Sequence, residues 1–150
     1  MDFNLEQIKA MLPHRYPFLM IDRVTDVVID KSAIGVKEVT VNEPFFRGMP
    51  PDRLFVPGTL IIEAMGQTAA VCAIHTLGGE SSDKIIFFMG MQKFRQRRPV
   101  RPGDRMLLHM VKERAYGPIS KVWGEARVEG VLVAQAYLTA MIADRDSVFP

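Results

Sequence analysis

The chain has 150 residues, a single cysteine and a net charge of only +2. One cysteine excludes an intramolecular disulfide. Cys72 lies inside an apolar run, which predicts a buried core thiol and fits a reducing compartment. The near-balance of charge gives no support to nucleic-acid binding by bulk electrostatics. The N-terminal stretch MDFNLEQIKAML lacks a basic flank followed by a long apolar run. It therefore does not read as a signal peptide, and a cytoplasmic location is expected. No repeat or low-complexity tract is evident. Proline clusters at Pro44, Pro50, Pro51 and Pro57, then is absent from residues 58–77.

That change in proline divides the central stretch in two. Residues 42–58 carry the prolines with Gly48 and Gly58, so they form a loop. From Thr59 to Leu77 nearly every residue is apolar or small; the exceptions are Glu63, Gln67, Thr68, His75 and Thr76. Such a helix would be about 28 Å long. With no water-facing stripe it must be wrapped by other structure. Glu63 and Gln67 interrupt the run and argue against a membrane span. Hydrophobic residues make up 48% of the chain and charged residues 24%, enough for a substantial core in one domain spanning 1–150.

Around this helix the pattern is mostly β. Leu5, Ile8, Met11 and Leu12 recur at helical spacing, predicting a short helix over 4–11 that Pro13 ends. A strand is predicted from Phe18 to Ile29, a turn at Asp30–Ser32, and a second strand through Val41. After a turn at 78–83, with Gly78 capping the helix, four strands fit 84–94, 104–116, 119–129 and 131–143. An antiparallel sheet curved round one long apolar helix satisfies both burial demands. The class is α+β, and the architecture is the hot-dog fold.

Two features carry chemistry. Glu63 stands one turn into the helix with Gln67 on the same face. Burial is expected to raise its pKa and favour the neutral acid. A partnered structural carboxyl near the helix N-terminus explains the same residues equally well. The second feature is a basic run: Lys93, Arg95, Arg97, Arg98, Arg101 and Arg105, opposed by Asp104. It reads as a docking site for an acidic protein or a phosphate, or else as a solvated strand end. His14, in the turn His14-Arg15-Tyr16-Pro17, reads either as a catalytic base or as a structural residue; a turn histidine usually bonds nearby backbone, so the structural role is expected.

Four segments together resemble the 3-hydroxyacyl-[acyl-carrier-protein] dehydratases of type II fatty-acid synthesis. They are LPHRYPFLMIDRV at 12–24, NEPFFRG at 42–48, PGTLIIEAMGQ at 57–67 and KFRQRRPVRPGD at 93–104. In the last, Gln96 stands where the family usually has phenylalanine. The resemblance implies loss of water from a 3-hydroxyacyl thioester to give a trans-2-enoyl thioester. It implies that Glu63 is the acid at C3, that the Gly58 N–H holds the thioester oxygen, and that Gln67 supports Glu63. Lys93, Arg95, Arg97, Arg98 and Arg101 would dock acyl carrier protein. No metal or cofactor is implied. Partners would be the acyl thioester and a second copy, as a homodimer or higher oligomer, with a heterodimer also possible.

One position departs from the resemblance. Where the family reads Gly-His-Phe-Pro-Gly, this chain reads Gly48-Met49-Pro50-Pro51-Asp52. Met49 takes the place of the histidine that removes the C2 proton, and a thioether cannot carry that proton. Three functions are therefore compatible: a dehydratase with a different base or relying on Glu63 alone, a non-catalytic acyl- or carrier-binding member, and a hot-dog thioesterase in which Glu63 activates water.

Overall fold

A computed structural model describes residues 1–78 and 83–148. Helix α1 spans Leu5–Met11 and starts with a reciprocal cap. The Asn4 side chain accepts from the Gln7 amide at 3.0 Å, and the Gln7 side chain accepts from the Asn4 amide at 2.9 Å. Its Ile8 and Met11 are buried. Strand β1 is Arg23–Val28 and β2 is Ser32–Glu38; a 3-10 turn follows at Pro44–Phe46. Helix α2 then runs Gly58–Thr76. Strands β3 (Lys84–Gln96), β4 (Arg105–Tyr116), β5 (Ile119–Val128) and β6 (Val131–Asp144) complete the sheet, and α3, Arg145–Val148, follows.

All neighbouring strands are antiparallel, in the order β1-β2-β4-β5-β6-β3. The chain leaves β2, passes through the loop and α2, and enters the sheet at its far edge as β3. Hairpins then fill the centre, turning at Gly117 and Gly130, whose positive φ of 56° and 76° suits glycine. Helix α2 touches every strand. Its Ile61, Met65 and Val71 are fully buried against the sheet, together with Val24, Leu108, Met110 and Leu138. The hot-dog arrangement expected from the pattern is thus observed. Among the described residues no helix is long and apolar enough to cross a membrane.

Some boundaries differ from expectation. Residues 18–22 are not strand, because Phe18 and Met20 bond the Gln67 side chain instead of a neighbouring strand. Strand β2 ends at Glu38, so Val39 and Val41 lie beyond it. Helix α3 was not anticipated. Of the predicted turn at 78–83, residues 79–82 lie outside the described ones. Cys72 is buried as expected, and burial pushes its thiol pKa up.

The helix presses closest on β2. A Cβ at Gly35 would lie 2.0 Å from Thr68 Oγ1. Thr68 cannot yield easily, because it is fully buried and donates to the Ala64 carbonyl at 2.8 Å. At Gly124 the nearest atoms to a Cβ are the ends of the flexible Met110 and Met65 side chains. Gly35→Ala is therefore expected to lower unfolding free energy by about 1–3 kcal/mol, and Gly124→Ala by less. Urea denaturation of both variants checks this ranking.

Candidate active site

The site is assembled by the connection between α1 and β1. Pro13 follows the extended Leu12 that closes α1. One α1 carbonyl left without an intrahelical partner, and two just beyond the helix, are taken by one side chain. The Arg15 guanidinium donates to Lys9 O at 3.0 Å and Leu12 O at 2.8 Å, and also to His14 O at 2.7 Å. The connection is then tied to α2 by Gln67, which is 1% exposed. Its Oε1 accepts from the Met20 amide at 2.8 Å, while its Nε2 donates to Phe18 O at 2.8 Å and to Glu63 Oε1 at 2.9 Å. Every polar atom of this buried amide is engaged.

This clamp brings His14 to the carboxylate, contrary to the expectation that it would bond local backbone. His14 Nε2 lies 3.3 Å from Glu63 Oε1. The imidazole lies nearly parallel to the Phe18 ring, 6.3 Å away at 17°. Its Nδ1 is buried with no partner among the described residues. The two side chains are 29% and 30% exposed, so both remain open to a ligand.

The pKa expected for Glu63 is also corrected. Its carboxyl is held below the ordinary value, chiefly by the hydrogen bond from His14. Partial burial pushes the other way and is outweighed; the Gln67 bond and the His14 charge add to the lowering. Glu63 is an ionised carboxylate at neutral pH rather than a stored acid.

A cavity of about 550 Å³ runs along α2 from Glu63 to Ile74, within the usual range for small-molecule sites. The helix creates this space itself. Gly66, Ala69, Ala70 and Ala73 share the face that continues from Glu63, and none projects beyond Cβ. The opposite wall is apolar, with Ile86, Phe88, Val122, Leu138 and Ile142.

Other expected site residues fall nearby or elsewhere. Gly58 is the first residue of α2, whose N-terminus has no side-chain cap. Its amide has no acceptor within the helix. A Cβ there would meet Phe94 Cζ at 2.7 Å and Gln96 Oε1 at 3.0 Å, so a larger residue must displace the Phe94 ring. Met49 packs half-buried against the core, with its amide donating to Phe46 O at 3.0 Å. Neither Gly58 nor Met49 lines the Glu63 cavity of this chain. The loop bearing Met49 is braced by a shielded Lys37–Glu43 pair at 2.8 Å. Lys93, Arg95, Arg97, Arg98 and Arg101 are all exposed. Phe94 and Gln96, between them in sequence, turn toward Gly58, so the basic side chains of β3 occupy its other face. His75 packs edge-on to Phe3 at 4.9 Å, and His109 lies on β4 opposite Glu125.

The FabA-like domain model matches residues 12–137. The chain belongs to this FabA-like family. Within it, the chain is 52% identical over 141 residues to the 3-hydroxyacyl-[acyl-carrier-protein] dehydratase FabZ of Paramagnetospirillum magneticum, covering 94% of this chain and 88% of that protein. It is 50% identical to the FabZ dehydratase of Rhodospirillum rubrum, covering 95% and 89%. Among solved structures, the dehydratase heterocomplex ApeI:P from Xenorhabdus doucetiae superposes with a TM-score of 0.80 at 17% identity, covering 95% of this chain and 94% of that one. A hot-dog-like protein from Thermanaerovibrio acidaminovorans gives 0.66 at 18% identity, covering 79% and 84%. At such identities the two structures establish the fold.

Ionisation of Glu63 in this FabA-like fold links stability to pH. A carboxyl whose pKa is lowered by folding contributes fully above its unfolded value of about 4.3 and loses that contribution as pH falls through its folded value. Glu63→Gln is therefore expected to destabilise the chain at neutral pH, and the difference from the unmutated protein should shrink below about pH 4. Urea unfolding across pH 3–7 measures it; a difference that stays flat would contradict the lowered pKa.

Proposed function

We propose that this chain is a 3-hydroxyacyl-[acyl-carrier-protein] dehydratase of fatty-acid biosynthesis, releasing water to form a trans-2-enoyl thioester. One observation carries the reading most: an ionised Glu63, oriented by Gln67, stands at one end of an apolar cavity that follows α2. The cavity suits an acyl chain, and the carboxylate suits proton transfer at its reacting end. The FabZ relatives at 52% and 50% identity support the substrate class. The uncapped α2 N-terminus supports a role for the Gly58 amide as donor to the thioester oxygen. Because Glu63 starts ionised, it begins the reaction able to accept a proton. Incubating the chain with a 3-hydroxyacyl-carrier-protein thioester should yield the enoyl thioester by mass spectrometry. Glu63→Ala should lower kcat/KM by about 10²–10⁴-fold. Free thiol as the product, or no product, would overturn the reading.

Lys93, Arg95, Arg97, Arg98 and Arg101 form the docking face for the acidic carrier on this reading. Lys93 and Arg95 stand on the outer side of the strand that abuts the α2 N-terminus, and Arg97, Arg98 and Arg101 follow its end as exposed residues. Arg97→Glu combined with Arg98→Glu should weaken carrier binding at low salt, and added salt should weaken the unmutated chain similarly. Binding indifferent to both would leave the run as a solvated strand end.

The functional unit is at least a dimer on the same reading, and the surface of β3 supports it. This edge strand of 13 residues exposes Phe88, Met89 and Met91 at 51%, 53% and 46%. A long apolar edge of this kind invites pairing with a second chain. Light scattering at micromolar concentration should give a dimeric or larger mass, and a monomeric mass would count against it.

A further inference from the structure

The loop position that Met49 occupies offers no atom able to carry a proton at neutral pH. The Glu63 cavity nevertheless has an imidazole, supplied by another part of the same chain. We propose that His14 is the second proton-carrying group of the reaction, paired with Glu63 within one chain. The inference rests on the dehydratase reading and deepens it.

A purely structural histidine accounts poorly for what surrounds His14. The connection is already secured without it, by Arg15 on the Lys9 and Leu12 carbonyls and by Gln67 on Phe18 and Met20. The ring adds one bond, to Glu63, and leaves its Nδ1 buried and unpartnered. A buried polar atom without a partner is a cost, and it marks places kept for chemistry rather than for stability. Both members of the pair line the cavity and stay partly open. The other charged groups around the cavity are engaged or removed from the pair. Lys9 bridges to Glu6 at 3.2 Å, Arg15 is held by carbonyls, and Lys84 pairs with Asp144. Arg145 is exposed, beyond the end of β6.

In the proposed reactive state one proton lies between His14 Nε2 and Glu63 Oε1. Oε1 also accepts from Gln67, whereas Oε2 accepts no hydrogen bond among the described residues and faces no competitor for a substrate proton. Glu63 Oε2 takes the C2 proton. The electrons of that C–H bond form the C2–C3 double bond as the C3–O bond breaks. The departing hydroxyl takes the Nε2 proton of the His14 imidazolium and leaves as water. The proton gained by Glu63 then crosses the 3.3 Å contact to His14, restoring the starting state. No further reactant is required. Because the two groups touch, both protons move on one face of the substrate.

The test uses full-length protein with a 3-hydroxyacyl-carrier-protein thioester. His14→Gln keeps a donor near Glu63 but carries no exchangeable charge. Its kcat should fall about 10²–10⁴-fold with KM little changed, and the basic limb of the kcat/KM profile should disappear. His14→Ala should fall similarly and recover partly with added imidazole. Loss of rate with an unchanged pH profile and no rescue by imidazole would make His14 structural and overturn the proposal. So would full activity in both variants, as would a silent His14→Gln beside a Met49→His variant that gains tenfold or more. Unmutated protein without dehydratase activity would overturn the proposed function itself, and the pairing with it.

Discussion

One buried amide fixes the geometry of the site. Gln67 has a single acceptor oxygen and two N–H groups, and the fold uses all three, two against the 18–20 backbone and one against Glu63. Two of its bonds reach backbone that would otherwise join a strand. Those bonds hold the Phe18–Met20 segment against α2 and delay the start of β1 to Arg23. The third sets the Glu63 carboxylate. A buried amide with any of these bonds missing would carry an uncompensated desolvation cost, so the arrangement has little freedom to drift. His14 arrives beside Glu63 because the same clamp fixes the segment that carries it.

The electrostatics of the cluster follow from competition between burial and hydrogen bonding. Burial alone would favour neutral Glu63. The carboxylate keeps part of its contact with water, while two donors converge on its Oε1. Hydrogen bonds to the ionised form outweigh the partial desolvation, so the carboxyl that burial alone would keep neutral is ionised in the fold. The cavity beyond it has an equally local origin. A helix face of Gly66, Ala69, Ala70 and Ala73 cannot fill the gap to β5 and β6, so an apolar channel remains where larger side chains would have closed the core.

Strand β3 joins several parts of the molecule. Its inward Phe94 and Gln96 abut Gly58 and fix the start of α2. The neighbouring basic residues are exposed, and its earlier apolar residues lie along an open edge. Period-two alternation lets one strand meet the helix on one side and solvent or a partner on the other.

The sequence alone determined the architecture. The switch from proline-rich loop to an uninterrupted apolar stretch marked α2 within a residue at each end, and regular turns marked β3 to β6, because proline, glycine and hydrophobic period act through nearest neighbours. Glu63 and Gln67 were legible for the same reason: polar residues are conspicuous in an apolar helix. The position of His14 was not legible. It lies 49 residues before Glu63 in the chain, and nothing local announces the contact. Only the long-range clamp between Gln67 and the 18–20 backbone closes that distance. Tertiary structure likewise decided the charge of Glu63, since a pKa depends on which donors the fold brings to the carboxylate and not on the residues beside it in sequence.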